Sequence, residues 1–318
     1  MNPEVQKLLV RQHYALIGTH SGVKLCHWMK QSLLFDRHCY KQEFYGISSH
    51  RCLQMTPAVN HCTQMCLFCW RLQTFTEQQL QHPDDPEFIL DRAIQAQRKL
   101  ITGFKGDPRC DQKKWAEANE PNMLACSLSG EPTLYPRLGE FFAACHRRGI
   151  TTFLVTNGTN PEALARLDPL PTQLYVSVVA PTEEVYKKLC APLLSQGWEK
   201  LQETLALLPS LDTKTVIRHT LIHDWNMQEK YVAQYARLDG LASPTFIEPK
   251  GYVFVGGSRN RLHFSNMPTH GQVQRFGQHL ADTVGYDLVM EKEDSLVVLL
   301  AQQHKEIKKR KKSRETDD

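Results

Sequence analysis

Residues 51–71 read RCLQMTPAVNHCTQMCLFCWR, with Cys62, Cys66 and Cys69 spaced Cys-x3-Cys-x2-Cys and Phe68 directly before the last of them. Three thiolates so close in sequence can converge on one small inorganic centre without help from the rest of the chain. Thiolates ligate zinc and iron–sulfur clusters. A closed structural zinc site takes four protein ligands, so His61 or a distant residue would have to complete it. A cluster of four irons held by three cysteines instead keeps one iron free for a small molecule.

Working outward, Cys26, Cys39 and Cys52 precede the triplet, each separated from the next by twelve intervening residues, in aromatic and basic sequence. Taken singly they read as buried thiols, because free cysteine is among the most buried residue types. Their position before a second triplet points to a second cluster, also with one open iron. Lys41 follows Cys39 by two residues, where a metal site and burial would favour an amine nucleophile. Cys110, Cys126, Cys145 and Cys190 are scattered and read as small buried hydrophobes.

Downstream the pattern alternates. Val5, Leu8, Leu9 and Leu16 predict an opening amphipathic helix. Asp85-Pro86 predicts an N-cap followed by proline in the first turn of a helix. MLACSLSG (123–130), TTFLVTNG (151–158), QLYVSVVAP (173–181), TKTVIRHTLI (213–222) and PTFIEPKG (244–251) read as strands, separated by helical stretches. Such alternation implies parallel βαβ units, and with the cysteine loop after the first strand it suits an α/β fold built as a partial (β/α)6-type TIM barrel. Ligands then sit at the carboxyl ends of the strands. Those ends carry Gly130, Glu131 and Pro132, then Asn157, Ser177 and Arg218. Glycine allows close backbone approach, Glu131 suits an ammonium group, and Arg218 suits a carboxylate.

Composition is ordinary for a globular protein: 318 residues, 41% hydrophobic and 23% charged, with a net charge of +4. That charge permits a nucleic-acid partner without requiring one. No apolar run reaches the length of a membrane span and no signal peptide is evident, so a cytoplasmic protein with reduced thiols is expected.

Together with Cys26, Cys39 and Cys52, the segments CTQMCLFCW, FYGISSHRCLQMTP, TGFKG, LSGEPTLYP, TNGT and EPKGYVFVGGSRNRL resemble the archaeal tRNA 4-demethylwyosine synthases, radical S-adenosylmethionine (SAM) enzymes of wybutosine biosynthesis. The resemblance covers nearly the whole chain. It implies two 4Fe–4S clusters, one on Cys62, Cys66 and Cys69 that binds SAM and one on Cys26, Cys39 and Cys52. It implies a carbon–carbon lyase acting on pyruvate and on phenylalanine tRNA carrying N1-methylguanosine beside the anticodon, in which two pyruvate carbons close a third ring. Phe68, Gly130, Glu131, Pro132, Asn157, Ser177 and Arg218 would bind SAM, while Lys41, or else Lys105 of TGFKG, would form a Schiff base with pyruvate. Two departures stand out: Val178-Val179 where a carboxylate is expected, and Gly256-Gly257 in place of Gly-Glu.

Three parts are expected: an N-terminal extension over 1–52 carrying the second ligand set, the radical SAM barrel over 53–290, and a C-terminal strand with a basic tail over 291–318. Lys250, Tyr252, Arg259 and Arg261 read as a tRNA-binding stretch of cations interleaved with aromatics. The run HKEIKKRKKSR (304–314) adds a non-specific attraction for RNA. A monomer and a separate flavodoxin- or ferredoxin-type electron donor are expected, since eukaryotic relatives carry a flavodoxin-like domain for which this length leaves no room. The competing readings are a radical SAM enzyme with another substrate and a zinc-dependent RNA-binding module without catalysis.

Overall fold

A computed structural model describes residues 1–302, so the basic run 304–314 lies outside the described residues. The strands are β1 (Ala15–Ile17), β2 (Ser21–Val23), β3 (Cys52–Thr56), β4 (Met123–Cys126), β5 (Thr151–Thr156), β6 (Gln173–Ser177), β7 (Lys214–Leu221), β8 (Phe246–Gly251), β9 (Asp287–Lys292) and β10 (Val297–Ala301). They form one sheet in the order β1-β2-β3-β4-β5-β6-β7-β8-β10-β9. From β3 to β8 every neighbouring pair is parallel and follows chain order, the arrangement of a barrel rather than a doubly wound sheet. The β1–β2 hairpin extends the β3 edge antiparallel, and β10 and β9 extend the β8 edge in the same way.

The helices are α1 (Pro3–Arg11), α2 (His27–Phe35), α3 (Tyr40–Tyr45), α4 (Pro86–Ile101), α5 (Gln112–Ala118), α6 (Leu138–Arg147), α7 (Pro161–Ala165), α8 (Glu183–Cys190), α9 (Gly197–Leu207), α10 (Val232–Ala242) and α11 (His270–Val284). Their starts follow local chemistry. Asp85 accepts from the backbone N–H of Glu87 and Phe88 ahead of Pro86, and Asn160 and Thr182 cap α7 and α8 with their own side chains. The opening helix is shorter than its periodicity suggests, for it ends at Arg11 and Leu16 belongs to β1.

Side-chain alternation along the strands divides the interior in two. Leu124, Leu154, Leu174, Val176, Ile217 and Ile247 face the outer helices in the main core. Met123, Ala125, Phe153, Tyr175, Val216 and Phe246 face the other way, and Tyr40 and Phe44 of α3 pack against them. The helix therefore plugs the inner face of the barrel at the start of its strands. Farther along, the same inward parity presents Val155, Ser177, Arg218, Glu248 and Lys250. Ser177 pairs with Arg218 and Arg218 with Glu248 in the ladder, so three adjoining strands aim polar groups into one space.

Candidate active site

That space is a chamber of about 510 Å³. All six cysteines singled out by the sequence line it: Cys26, Cys39, Cys52, Cys62, Cys66 and Cys69. The loop after β3 supplies the later three. Burial pushes the Cys62 thiol up to about 12, and it raises the Cys69 thiol as well. Arg71, only 4% exposed, lies close enough to all three sulfurs to favour their thiolate forms. Its guanidinium donates to Gln64 O at 2.8 Å and Thr76 Oγ1 at 3.0 Å, which fixes the loop's return. Arg261 donates to the carbonyls of Leu67 and Cys69 from the far side.

The earlier three cysteines come from three elements. Cys26 caps α2, Cys39 caps α3, and Cys52 opens β3. Burial raises all three thiols, Cys39 to about 11, while the first backbone N–H groups of α2 and α3 point at the sulfurs of Cys26 and Cys39 and oppose the rise. Helix N-termini favour thiolate.

Among the described residues no three cysteine, histidine or acidic side chains stand close enough to hold a single metal ion, and Cys66 Sγ donates to Gln64 Oε1 at 3.1 Å; two trios of thiols facing one chamber suit a wider iron–sulfur core instead. A metal would deprotonate thiols that burial otherwise keeps neutral. His61 does not complete a zinc site on the chamber wall, because its Nε2 turns to Glu77 Oε2 at 3.6 Å.

The expected SAM-binding residues divide. Phe68, Gly130, Glu131, Asn157, Ser177 and Arg218 line the chamber. Pro132 does not; it is buried behind, opening the turn Pro132–Leu134. The Glu131 carboxylate is 1% exposed and accepts from Thr133 N and Oγ1, Thr156 Oγ1 and Asn157 N. Four donors nearly fill a carboxylate's capacity, so Glu131 first of all joins the ends of β4 and β5. Burial nonetheless raises its pKa. Gly130 has φ +72°, and a Cβ there would lie 1.8 Å from the Ala58 carbonyl oxygen, so the close approach its glycine allows is to the loop that carries Cys62. Where a carboxylate was expected, Val178 and Val179 are buried, and their carbonyls accept from His219, Asn226 and Tyr235. Gly256 lies against the Trp70 carbonyl, closer than any side chain permits.

Lys41 is in the chamber, with Nζ 4.4 Å from the Tyr175 ring centre and 4.9 Å from that of Phe153. Burial, then Arg218, lowers its pKa. Lys105 is exposed, lies over Trp115 at 5.0 Å and takes no part in the chamber, which removes it as a candidate amine. The tRNA-binding stretch is also redistributed. Lys250 lines the chamber, where burial pushes it down to about 8. Tyr252 is 2% exposed, its hydroxyl donates to Ser258, and it too lines the chamber. Arg261 is committed to the loop of Cys66 and Cys69. Arg259 alone of the four is exposed, 5.5 Å from the Phe254 ring.

Several residues escaped the sequence reading. Glu248, fully buried, accepts from Arg218 Nε and Nη2 at 2.9 and 2.8 Å, Tyr40 Oη at 3.0 Å and Tyr45 Oη at 2.5 Å. Burial pushes its pKa up, but Arg218 and Lys41 outweigh that and hold it below the ordinary value. Two-residue spacing from Lys250 on an inward-facing strand was the available signal. Phe264, 71% exposed and 6.0 Å from Phe254, was the other omission.

Comparison with known proteins places this geometry. Residues 56–236 match the radical SAM superfamily, and 241–302 match a family described as wyosine base formation. An S-adenosyl-L-methionine-dependent tRNA 4-demethylwyosine synthase of Pyrococcus abyssi is 51% identical over 94% of this chain and 89% of its own length. The human protein of that description is 39% identical over 95% of this chain and 41% of its own. A solved structure described as TYW1 with a lysine–pyruvate adduct bound superposes with a TM-score of 0.87, at 36% identity, over 96% of this chain and 97% of that one.

Proposed function

Because this chain belongs to the S-adenosyl-L-methionine-dependent tRNA 4-demethylwyosine synthase family of radical SAM enzymes, we propose that it joins two carbons of pyruvate to N1-methylguanosine beside the anticodon of phenylalanine tRNA. The observation that carries the reading is the convergence of two thiol trios and one buried lysine on a single chamber inside six parallel strands, with the later trio on the loop after β3 and Cys52 at the start of that strand. Cys62, Cys66 and Cys69 would hold one 4Fe–4S cluster, and Cys26, Cys39 and Cys52 a second. When bound and reduced, the first supplies the electron that turns SAM into a carbon-centred radical able to take hydrogen from the N-methyl group.

The chain's own residues bind and orient. Ser177 offers a hydroxyl to SAM and Phe68 packs beside the thiol trio, while the Asn157 amide is tied to Thr63 and Thr159 and brings its Nδ2 within 3.9 Å of Cys62 Sγ. Lys41, on aromatic faces with no hydrogen-bond partner among the described residues, is the amine that would condense with the pyruvate carbonyl. A lysine–pyruvate adduct in a structurally similar relative supports that role. Phe254, Phe264 and Arg259, grouped beside one another after β8, would receive the anticodon loop by stacking and phosphate contact. Net bond formation and scission place the enzyme among carbon–carbon lyases. A monomer in the cytoplasm, fed by a separate flavodoxin or ferredoxin, completes the reading; no described helix is long and apolar enough to cross a membrane.

The test is anaerobic incubation of reconstituted protein with SAM, pyruvate, dithionite and tRNA bearing N1-methylguanosine, followed by nucleoside mass spectrometry. A nucleoside heavier by two carbon atoms is expected. SAM cleavage with unaltered tRNA would point to another substrate, and zinc in place of iron would remove the radical chemistry.

A further inference from the structure

A 2-oxo acid presents two groups on adjacent carbons, a carboxylate and a carbonyl, so holding one needs a cation and an amine that are separate. The chamber contains four basic side chains: Lys41, Arg71, Arg218 and Lys250. Arg71 belongs to the loop of Cys62, Cys66 and Cys69 and is tied to Gln64 and Thr76. Arg218, the natural choice from sequence, is already committed. Two of its nitrogens donate to Glu248, and one also donates to Tyr40 Oη at 2.7 Å. Glu248 takes four donors in all, so both charges of that pair cancel within the wall.

Lys41 and Lys250 remain, both lining the chamber and both near Cys39 of the earlier thiol trio. Neither forms an ion pair among the described residues. Their restraints differ. Lys250 leaves β8 on the inner face and donates one N–H to the Ser295 carbonyl, with Nζ 5.4 Å from the Tyr40 ring. A carbonyl and an aromatic face hold an ammonium in place without neutralising it, and two of its N–H donors are left over. Lys41 has only ring faces beneath it and can advance on a carbonyl carbon.

We propose that Lys250 receives the carboxylate of the bound 2-oxo acid, which aims the carbonyl at Lys41. The proposal rests on the reading of Lys41 as the condensing amine and goes beyond it by assigning the anion-recognition group. It makes Lys250 a specificity-determining residue: it selects a carboxylated ketone over a neutral one of the same size.

Borohydride trapping on the reconstituted holoprotein, read by peptide mass spectrometry, tests this with pyruvate and its neutral counterpart pyruvamide. In the unaltered protein the label should fall on Lys41 at lower pyruvate than pyruvamide concentration. Lys250→Met should raise the pyruvate concentration for half-labelling by roughly 10- to 100-fold, the loss of a charge-assisted hydrogen bond. It should leave the pyruvamide concentration and the iron and sulfide contents unchanged. Lys250→Arg should recover most of the pyruvate preference. Equal pyruvate titrations in Lys250→Met and the unaltered protein, parallel loss with pyruvamide, or label on Lys250 itself would overturn the assignment. Absence of any label in the unaltered protein would instead defeat the Lys41 reading. Equilibrium dialysis of radiolabelled pyruvate then still decides Lys250, because the same weakening must appear in binding alone.

Discussion

Gly130→Ala should cost the protein one cluster and spare the other. Two effects act at this position. The first is backbone strain: at φ +72° an alanine pays the left-handed penalty of about 1–2 kcal/mol. The second is collision, since the new Cβ would stand 1.8 Å from the Ala58 carbonyl oxygen and 2.6 Å from that of His61, where real contacts do not fall below 3.0 Å. The loop carrying Cys62 must then retreat by roughly 1.2 Å, and a displacement near 1 Å at a reacting centre is worth about 100-fold in rate. Glu131 N also donates to His61 O at 2.7 Å, so the retreat breaks a bond that fixes the loop to the end of β4. Gly149→Ala is the matched control. Its φ is +67° but a Cβ there meets nothing within 4 Å, so it carries the strain without the collision. After anaerobic reconstitution, Gly130→Ala should hold about half the iron of Gly149→Ala and should not cleave SAM. Full iron with normal SAM cleavage in Gly130→Ala would refute the claim that this glycine exists for the cluster loop.

Replacing Cys62, Cys66 and Cys69 together by Ala should likewise leave about half the iron, because the earlier trio hangs on α2, α3 and β3; loss of all iron, or of none, would contradict independent sites. Glu248→Ala strands the Arg218 charge inside the wall and should destabilise the fold by about 3–5 kcal/mol, read from the denaturation midpoint of protein without clusters; a change under about 1 kcal/mol would mean that water replaces the carboxylate. Phe264→Ala should weaken tRNA binding by about 1–3 kcal/mol, the range for one base–aromatic stack, with SAM cleavage unchanged; undiminished affinity in a filter-binding assay would move the anticodon loop elsewhere.

Much of this was legible because it is local. The Asp85-Pro86 start and the apolar runs act over a few residues, and the helix and strands they predict are present. What failed was long-range. Lys250 and Tyr252 read as cations and aromatics for tRNA, yet β8 pairs with β7 in a register that sets Lys250 beside Thr220 and turns both inward. One residue of slip would have reversed every side chain, and a single sequence does not fix that parity. Lys105 misled in the opposite sense: TGFKG carries a lysine near glycines, but the end of α4 leaves it over Trp115 on the surface. Gly130 was read as a close approach to SAM, and the close approach visible in the fold is to the Ala58 carbonyl oxygen.

The N-terminal segment resists description as an appendage. A partial barrel leaves its inner face open at the start of the strands, and Met123, Phe153, Tyr175, Val216 and Phe246 would meet water there. Tyr40 and Phe44 cover them, and they belong to the same short helix whose first turn carries Lys41 and whose cap is Cys39. Tyr40 also bonds Glu248 and lies under Lys250. One six-residue element thus closes the core, supplies a thiol and an amine, and sets the face against which the second lysine rests. Packing and chemistry share side chains here, so the position of the amine relative to the thiol trio is fixed by the same contacts that hold the barrel together.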